Sequence, residues 1–121
     1  VGILRTADGL RRAAKRLGEL DAQLSRTGVA DEGRAFNLSW HDWLNLRSLV
    51  SVSRVIAEAA IAREDSRGAH FREDHPQTGD LEQSTYTVAR WDDGAVSIGR
   101  EPVKFTRVRP GQSLIAGDQS A

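Results

Sequence analysis

The chain has 121 residues, enough for one domain and too few for a two-domain enzyme. Lysine and arginine total 17 and aspartate and glutamate total 17, so the formal net charge is zero and no overall attraction to nucleic acid or anionic lipid is implied. Cysteine is absent, which excludes disulfides, thiolate catalysis and cysteine-held zinc or iron–sulfur sites, while 39% apolar and 28% charged residues give the balance of a globular chain. No apolar run approaches the roughly 18 residues of a membrane helix. The start, Val1-Gly2-Ile3-Leu4-Arg5, has no signal-peptide core, and the chain contains no Met at all, so it reads as a piece of a longer protein.

The first predicted helix covers residues 7–25, with Thr6 as its N-cap and Gly28 as a stop after Thr27. Leu10, Ala13, Ala14, Leu17, Leu20 and Leu24 recur at helical spacing on one face, and Arg11, Arg12, Lys15, Arg16 and Glu19 take the other. A polar connector containing Gly33 leads to a longer helix over residues 39–65, capped by Asn37 or Ser39. Its apolar arc is broad: Trp43, Leu46, Leu49, Val50, Ser53, Ile56, Ala57, Ala60 and Ile61. Trp40, Leu44, Val52 and Ala59 fall outside the arc, leaving Arg47, Arg54 and Glu58 as a polar strip. A helix apolar over that much of its circumference needs more than one partner, and the first helix offers one stripe.

Beyond Gly68 the helical pattern stops. Residues 74–80 read as a loop broken by Pro76 and Gly79. Residues 84–91 and 95–100, joined at Asp92-Asp93-Gly94, read as a β-hairpin. Val103, Phe105 and Val108 suggest a further extended segment, and Asp118 to Ala121 a frayed end.

The densest polar stretch is Arg63-Glu64-Asp65-Ser66-Arg67-Gly68-Ala69-His70-Phe71-Arg72-Glu73-Asp74-His75-Pro76. One reading is a helix C-terminus with Gly68 in the left-handed region, basic groups at the negative end of the dipole and internal ion pairs. The other is a docking element whose arginines pair with carboxylates or a phosphate elsewhere. His70 and His75 match no common metal-ligand spacing, and Asp65-Ser66-Arg67-Gly68 is not a nucleophile elbow. Neither a Gly-x-Gly-x-x-Gly nor a phosphate-loop motif is present. The basic side of the first helix lacks interleaved aromatics, so it reads as a solvated face, and nucleic acid is not an expected partner. Trp40 and Trp43 read as packing residues.

The stretch Ala62-Arg63-Glu64-Asp65-Ser66-Arg67-Gly68-Ala69-His70-Phe71-Arg72-Glu73-Asp74-His75-Pro76 resembles the Ala-Arg-x-x-Ser-Arg-Gly-Ala-His-x-Arg-x-Asp-x-Pro signature of the C-terminal domain of the succinate dehydrogenase/fumarate reductase flavoprotein family. Val1-Gly2-Ile3-Leu4-Arg5 with Gly9-Leu10, then Phe36-Asn37, then Pro102-Val103 after a hairpin, resemble that family's further landmarks in order. L-aspartate oxidases share the Ser-Arg-Gly core and usually carry Leu where this chain has Ala69, which favours the dehydrogenase/reductase branch.

The resemblance implies a mainly α fold: antiparallel helices of a spectrin-repeat-like bundle with one helix missing from the fragment, then a β-hairpin. Residues 1–76 would form the helical part with the signature, and residues 77–121 the hairpin and tail of the same domain. It further implies a parent that carries FAD in another domain and transfers hydride between succinate or fumarate and the flavin. This chain would pack on that flavin domain and near an iron–sulfur subunit, in the cytoplasm or at the inner face of a membrane. The matching residues Arg63, Ser66, Arg67, Gly68, His70, Arg72 and Asp74 are expected to hold a turn at an interface, with no catalytic, FAD-binding or metal role in this chain. The uncovered side of the long helix, including Leu44 and Val52, is expected to drive self-association. A free-standing helical interaction module is the competing reading.

Overall fold

The computed structural model of the chain describes residues 2–92, 95–113 and 115. Its elements in order are β1 (Leu4–Arg5), α1 (Ala7–Arg26), α2 (Leu38–Ala62), β2 (Phe71–Arg72), β3 (Thr85–Asp92) and β4 (Ala95–Pro102).

Helix α1 starts where the sequence places it. The Thr6 hydroxyl accepts from the Gly9 amide at 3.1 Å, satisfying one free donor of the first turn. The helix ends as the Thr27 amide donates to the carbonyls of Gln23 and Leu24 at 3.0 and 3.2 Å. At the start of α2, the Asn37 carboxamide oxygen accepts from the Trp40 amide at 2.8 Å. Its nitrogen donates to the carbonyls of Asp31 and Gly33 at 2.7 and 2.9 Å, so one side chain caps the helix and gathers the connector.

The two helices run antiparallel. Trp43, near the start of α2, donates from Nε1 to the carbonyl of Thr27 at the end of α1, 2.9 Å away, and Arg54 pairs with Asp21 at 2.7 Å midway along. Their common core is small: Leu10, Val50, Ala57 and Ala60. Leu10 is 1% exposed, and burial of such a side chain stabilises by about 1.5–3 kcal/mol.

A second side of α2 has no cover among the described residues. Leu38, Leu49, Val52 and Ile56 are 74%, 63%, 57% and 55% exposed, and at 100° per residue they fall within about 60° of one another. This corrects the sequence reading in detail. Leu46, Leu49 and Ile56 of the apolar arc are exposed, as is Val52, expected to be bare, whereas Leu44, also expected to be bare, is half-buried. The single stripe of α1 covers the side of Val50, Ala57 and Ala60 and reaches no further.

β1 and β2 pair in parallel, Leu4 opposite Phe71 and Arg5 opposite Arg72. β3 and β4 form the antiparallel hairpin, with Thr85 opposite Pro102 through to Asp92 opposite Ala95. Of the expected turn, Asp93 and Gly94 lie outside the described residues, as does the 118–121 end. Among the described residues no strand follows Pro102, although the Val103 amide adds one bond to the Ser84 carbonyl at 2.9 Å.

The mainly α class is therefore wrong: among the described residues two helices stand beside four strands in two sheets, a mixed α/β fold. The expected hairpin makes up a larger share of the fold than a helical class allows, since its strands are eight residues each. β1 and β2 are two residues each, too short for any alternation of polar and apolar residues to show in the sequence.

Candidate functional site

α2 stops at Ala62, three residues before the predicted Asp65, because its last carbonyls are taken by side chains from later in the chain. The last four carbonyls of a helix lack partners within it. Here the Ala59 carbonyl accepts from the Arg63 amide at 3.2 Å. Those of Ala60 and Ile61 accept from Arg72 Nη1 at 2.9 and 3.3 Å, and that of Ala62 from Arg100 Nη2 at 2.7 Å. Every one is satisfied, three of the four by a guanidinium at the negative end of the helix dipole.

Arg72 is the centre of the site and is 1% exposed. Besides the helix end, its Nη1 donates to the carbonyl of Arg63 at 3.0 Å. Its Nε and Nη2 hold both oxygens of Asp74 at 2.7 and 2.8 Å, a two-point pairing that matches the planar fork to the carboxylate. Asp74 Oδ2 also accepts from the amide of Ala7, the first residue of α1, at 2.8 Å. A carboxylate thus sits at the positive end of α1 and a guanidinium at the negative end of α2, and the two are bonded to each other. Arg72 holds the Asp74 carboxyl far below the usual carboxylate range, with the Ala7 amide adding to the effect. In return, the bond to Asp74 raises the Arg72 guanidinium above its ordinary value against the opposing effect of burial.

The loop between α2 and β2 is closed by a two-residue turn. Arg67 and His70 exchange backbone hydrogen bonds at 2.9 and 3.0 Å, with Gly68 at φ +56° in the first central position. Positive φ there is the type II′ pattern, which selects glycine. A Cβ added to Gly68 would meet nothing within 4 Å, so the requirement is one of backbone conformation alone. Gly68 is left-handed as expected but lies in this turn rather than at the helix cap, which Arg63 occupies in an extended conformation.

Ser66 and Arg67 fix the remainder. The Ser66 hydroxyl accepts from the Arg72 amide at 2.8 Å and donates to the His75 carbonyl at 2.8 Å. Its oxygen is thus bonded to backbone on both sides, and Ser66 staples Arg72 to His75. Arg67 donates to the carbonyls of Thr78 and Asp80 and to the Ser84 hydroxyl at 2.7, 3.1 and 2.7 Å, carrying the loop onto the start of the hairpin. Asp65 stands between Arg63 and Arg67, at 2.6 and 2.8 Å.

His70 joins the N-terminal segment. Its Nδ1 lies 2.8 Å from Arg5 Nη1, and its Nε2 lies 3.4 Å from the Arg63 carbonyl. A guanidinium can only donate, so Nδ1 must accept and Nε2 carries the hydrogen. Burial lowers the imidazole's pKa from its ordinary value, more than the bond to the Arg63 carbonyl raises it, and the charges of Arg5 and Arg63 lower it further.

The structure brings all seven expected residues, Arg63, Ser66, Arg67, Gly68, His70, Arg72 and Asp74, into one connected cluster. Sequence reasoning missed three members: Arg5, the Ala7 amide and Arg100. Arg100 carries no local signal, since it meets the helix end only through the fold. Arg5 had one: it ends the Val1-Gly2-Ile3-Leu4-Arg5 landmark directly before the cap of α1. Both His70 nitrogens face protein partners, and among the described residues no group of three or more His, Asp or Glu is placed to hold a metal. At the helix starts the first amide of α1 faces Asp74 and the Trp40 amide of α2 is capped by Asn37.

A helical hairpin is thus joined to a β-hairpin through an arginine-clasped loop. The chain belongs to the family described as the fumarate reductase flavoprotein C-terminal region, whose model matches residues 1–114. It is 35% identical over 114 residues to a fumarate reductase flavoprotein subunit of Mycobacterium tuberculosis, covering 93% of this chain and 20% of that protein. It is 38% identical over 89 residues to an L-aspartate oxidase of Streptomyces coelicolor, covering 74% of this chain and 15% of that one. Among solved structures it resembles FrdA of the E. coli quinol fumarate reductase, with a TM-score of 0.84 and 30% identity over 92% of this chain and 20% of that one. It also resembles Mycobacterium smegmatis Sdh1 in complex with UQ1, at 0.70 and 33% over 84% and 17%. The chain therefore spans about a fifth of the length of the fumarate reductase flavoprotein subunits it matches. Among the described residues no helix is long and apolar enough to cross a membrane.

Proposed function

We propose that this chain is the architectural C-terminal domain of an FAD-dependent oxidoreductase acting between succinate and fumarate. Its work is to pack against the flavin-binding domain and, in a respiratory complex, near an iron–sulfur subunit at the cytoplasmic face of the membrane. The observation that carries this reading is the inward use of the signature: Arg63, Arg67 and Arg72 all direct their donors to carboxylates, carbonyls and a hydroxyl of the same chain. Guanidiniums spent in this way position a loop and have no role in the reaction itself. The seven signature residues are thus interface-shaping residues, and the exposed stripe of Leu38, Leu49, Val52 and Ile56 is the surface that meets the rest of the protein. Residues 1–76 and 77–121 act as two parts of one domain, tied by Arg67 to Ser84 and by Arg100 to Ala62.

Hydride chemistry would belong to the flavin and to residues outside this chain. Flavin absorbance during titration of the chain with FAD tests the reading: no binding at micromolar FAD is expected, and a saturable spectral shift in that range would overturn it. The likeness to an L-aspartate oxidase supports a second parent reaction. Ala69 and the longer match to fumarate reductase subunits, 93% of the chain against 74%, favour the first.

A further inference from the structure

The hydrogen bonds around Arg72 and His70 close into a ring. Arg5 donates to His70, His70 to the Arg63 carbonyl, Arg72 to that same carbonyl and to Asp74, and Asp74 accepts from Ala7, two residues after Arg5. The ring joins the strand before α1 to the loop after α2, and His70 is its only member that ordinarily changes charge between pH 5 and 8.

We propose that His70 is a pH-operated latch: neutral, it closes the ring and holds β1 on β2; protonated, it expels Arg5 and frees that strand. A proton added to the imidazole must sit on Nδ1, where the Arg5 guanidinium already points a donor. Donor then faces donor and cation faces cation, 2.8 Å apart. The charged groups facing the ring are Arg5 from β1 and Arg63 and Asp65 from the segment after α2. From β2, Arg72 reaches the same Arg63 carbonyl. Asp65 is the one acid among them, and Arg63 and Arg67 already hold it, so it offers the imidazolium little compensation. Burial is the largest cause lowering the His70 pKa, and the Arg5 and Arg63 charges act in the same direction. Opening the latch breaks the pairing of Leu4 with Phe71 and the bond from the Glu73 amide to the Arg5 carbonyl at 2.9 Å. The latch depends on this geometry and not on the parent's reaction.

Amide hydrogen exchange at Glu73 in the full chain, at pH 7.5 and pH 5, tests the latch after correction for intrinsic exchange rates. The wild type should lose protection on acidification, by up to about tenfold for each unit by which the closed latch holds His70 below its open value and by no more than about thirtyfold at pH 5 for an open value near 6.5. His70→Gln can accept from Arg5 and donate to the Arg63 carbonyl at any pH, so it should keep its protection at pH 5. Equal pH dependence in the two proteins would overturn the proposal. Should His70→Gln fail to fold, the NMR titration of the wild-type imidazole decides. A midpoint below the ordinary value near 6.5, with Leu4 and Glu73 amide resonances moving in step, supports the latch, and a midpoint at or above that value overturns it.

Discussion

Replacing Arg72 with Met removes the guanidinium and keeps most of the aliphatic bulk, so the loss reads the polar bonds rather than a cavity. In the wild type the group is 1% exposed, holds both oxygens of Asp74 and reaches the carbonyls of Ala60, Ile61 and Arg63. Taking one partner from a buried ion pair costs about 3–5 kcal/mol, and each buried carbonyl left without a donor about 1–3 kcal/mol. These terms do not add, because water enters a site vacated at the helix end and Asp74 is 31% exposed at its side chain. The expected net loss is about 3 kcal/mol, at the lower end of the buried-pair range. Arg72→Lys keeps a charge near the helix end without the two-point fork, so it should recover part of the loss and remain about 1.5–2 kcal/mol below the wild type. Urea unfolding of the full chain by far-UV circular dichroism measures both. An Arg72→Met chain within about 1 kcal/mol of the wild type would place the residue among ordinary surface positions and refute the role of the clasp.

Gly68→Val should destabilise the chain by about 1 kcal/mol or more, because a β-branched residue resists positive φ. Gly68→Asn should cost less, since Asn tolerates that region; equal melting temperatures for wild type and Gly68→Val would remove the turn assignment. Asp74 supplies an acid-dependent term of definite sign. Its folded pKa lies below the unfolded one, so its stabilisation is complete above the ordinary carboxylate value near 3.9 and is lost as pH falls through the folded value. Melting temperatures between pH 5 and pH 2 should fall less steeply in Asp74→Asn than in the wild type, and parallel curves would contradict the pairing. The exposed stripe of α2 should make the isolated chain associate with concentration, and Leu49→Glu should abolish that association. Sedimentation showing a wild-type monomer at high concentration would count against the stripe as an adhesive surface.

Local physics made the helices and the hairpin legible. Thr6 and Asn37 are capping residues directly ahead of apolar periodicity, and both cap as the sequence suggests. The C-terminal limit of α2 was not legible. Residues 63–65 carry nothing that forbids a helix, and what ends it is competition from Arg72 and Arg100, placed only once the chain has folded. The same holds for β1 and β2, whose pairing depends on segments more than sixty residues apart meeting at one corner. The charged residues of the signature were visible as a group, but not the direction in which each faces. A guanidinium in a sequence reads equally as a surface charge, a docking group or a buried cap, and only burial and partners separate the three.

Why so polar a motif serves architecture follows from the size of the core. Among the described residues four buried apolar side chains, two of them alanine, hold the helices together without dictating their alignment, because hydrophobic contact is not directional. Alignment needs bonds with fixed geometry, and the ends of the two helices supply unpaired amides and carbonyls where such bonds are strongest. Arg72 and Asp74 serve both ends at once. A shift of either helix along its axis by one residue, about 1.5 Å, would break bonds at Ala7 and at Ala60 together. Buried ion pairs contribute little to net stability beyond what an apolar replacement of similar volume could give, but they penalise misalignment. On the proposed function, a domain that presents the stripe of Leu38, Leu49, Val52 and Ile56 to a partner surface needs that penalty more than it needs additional hydrophobic area.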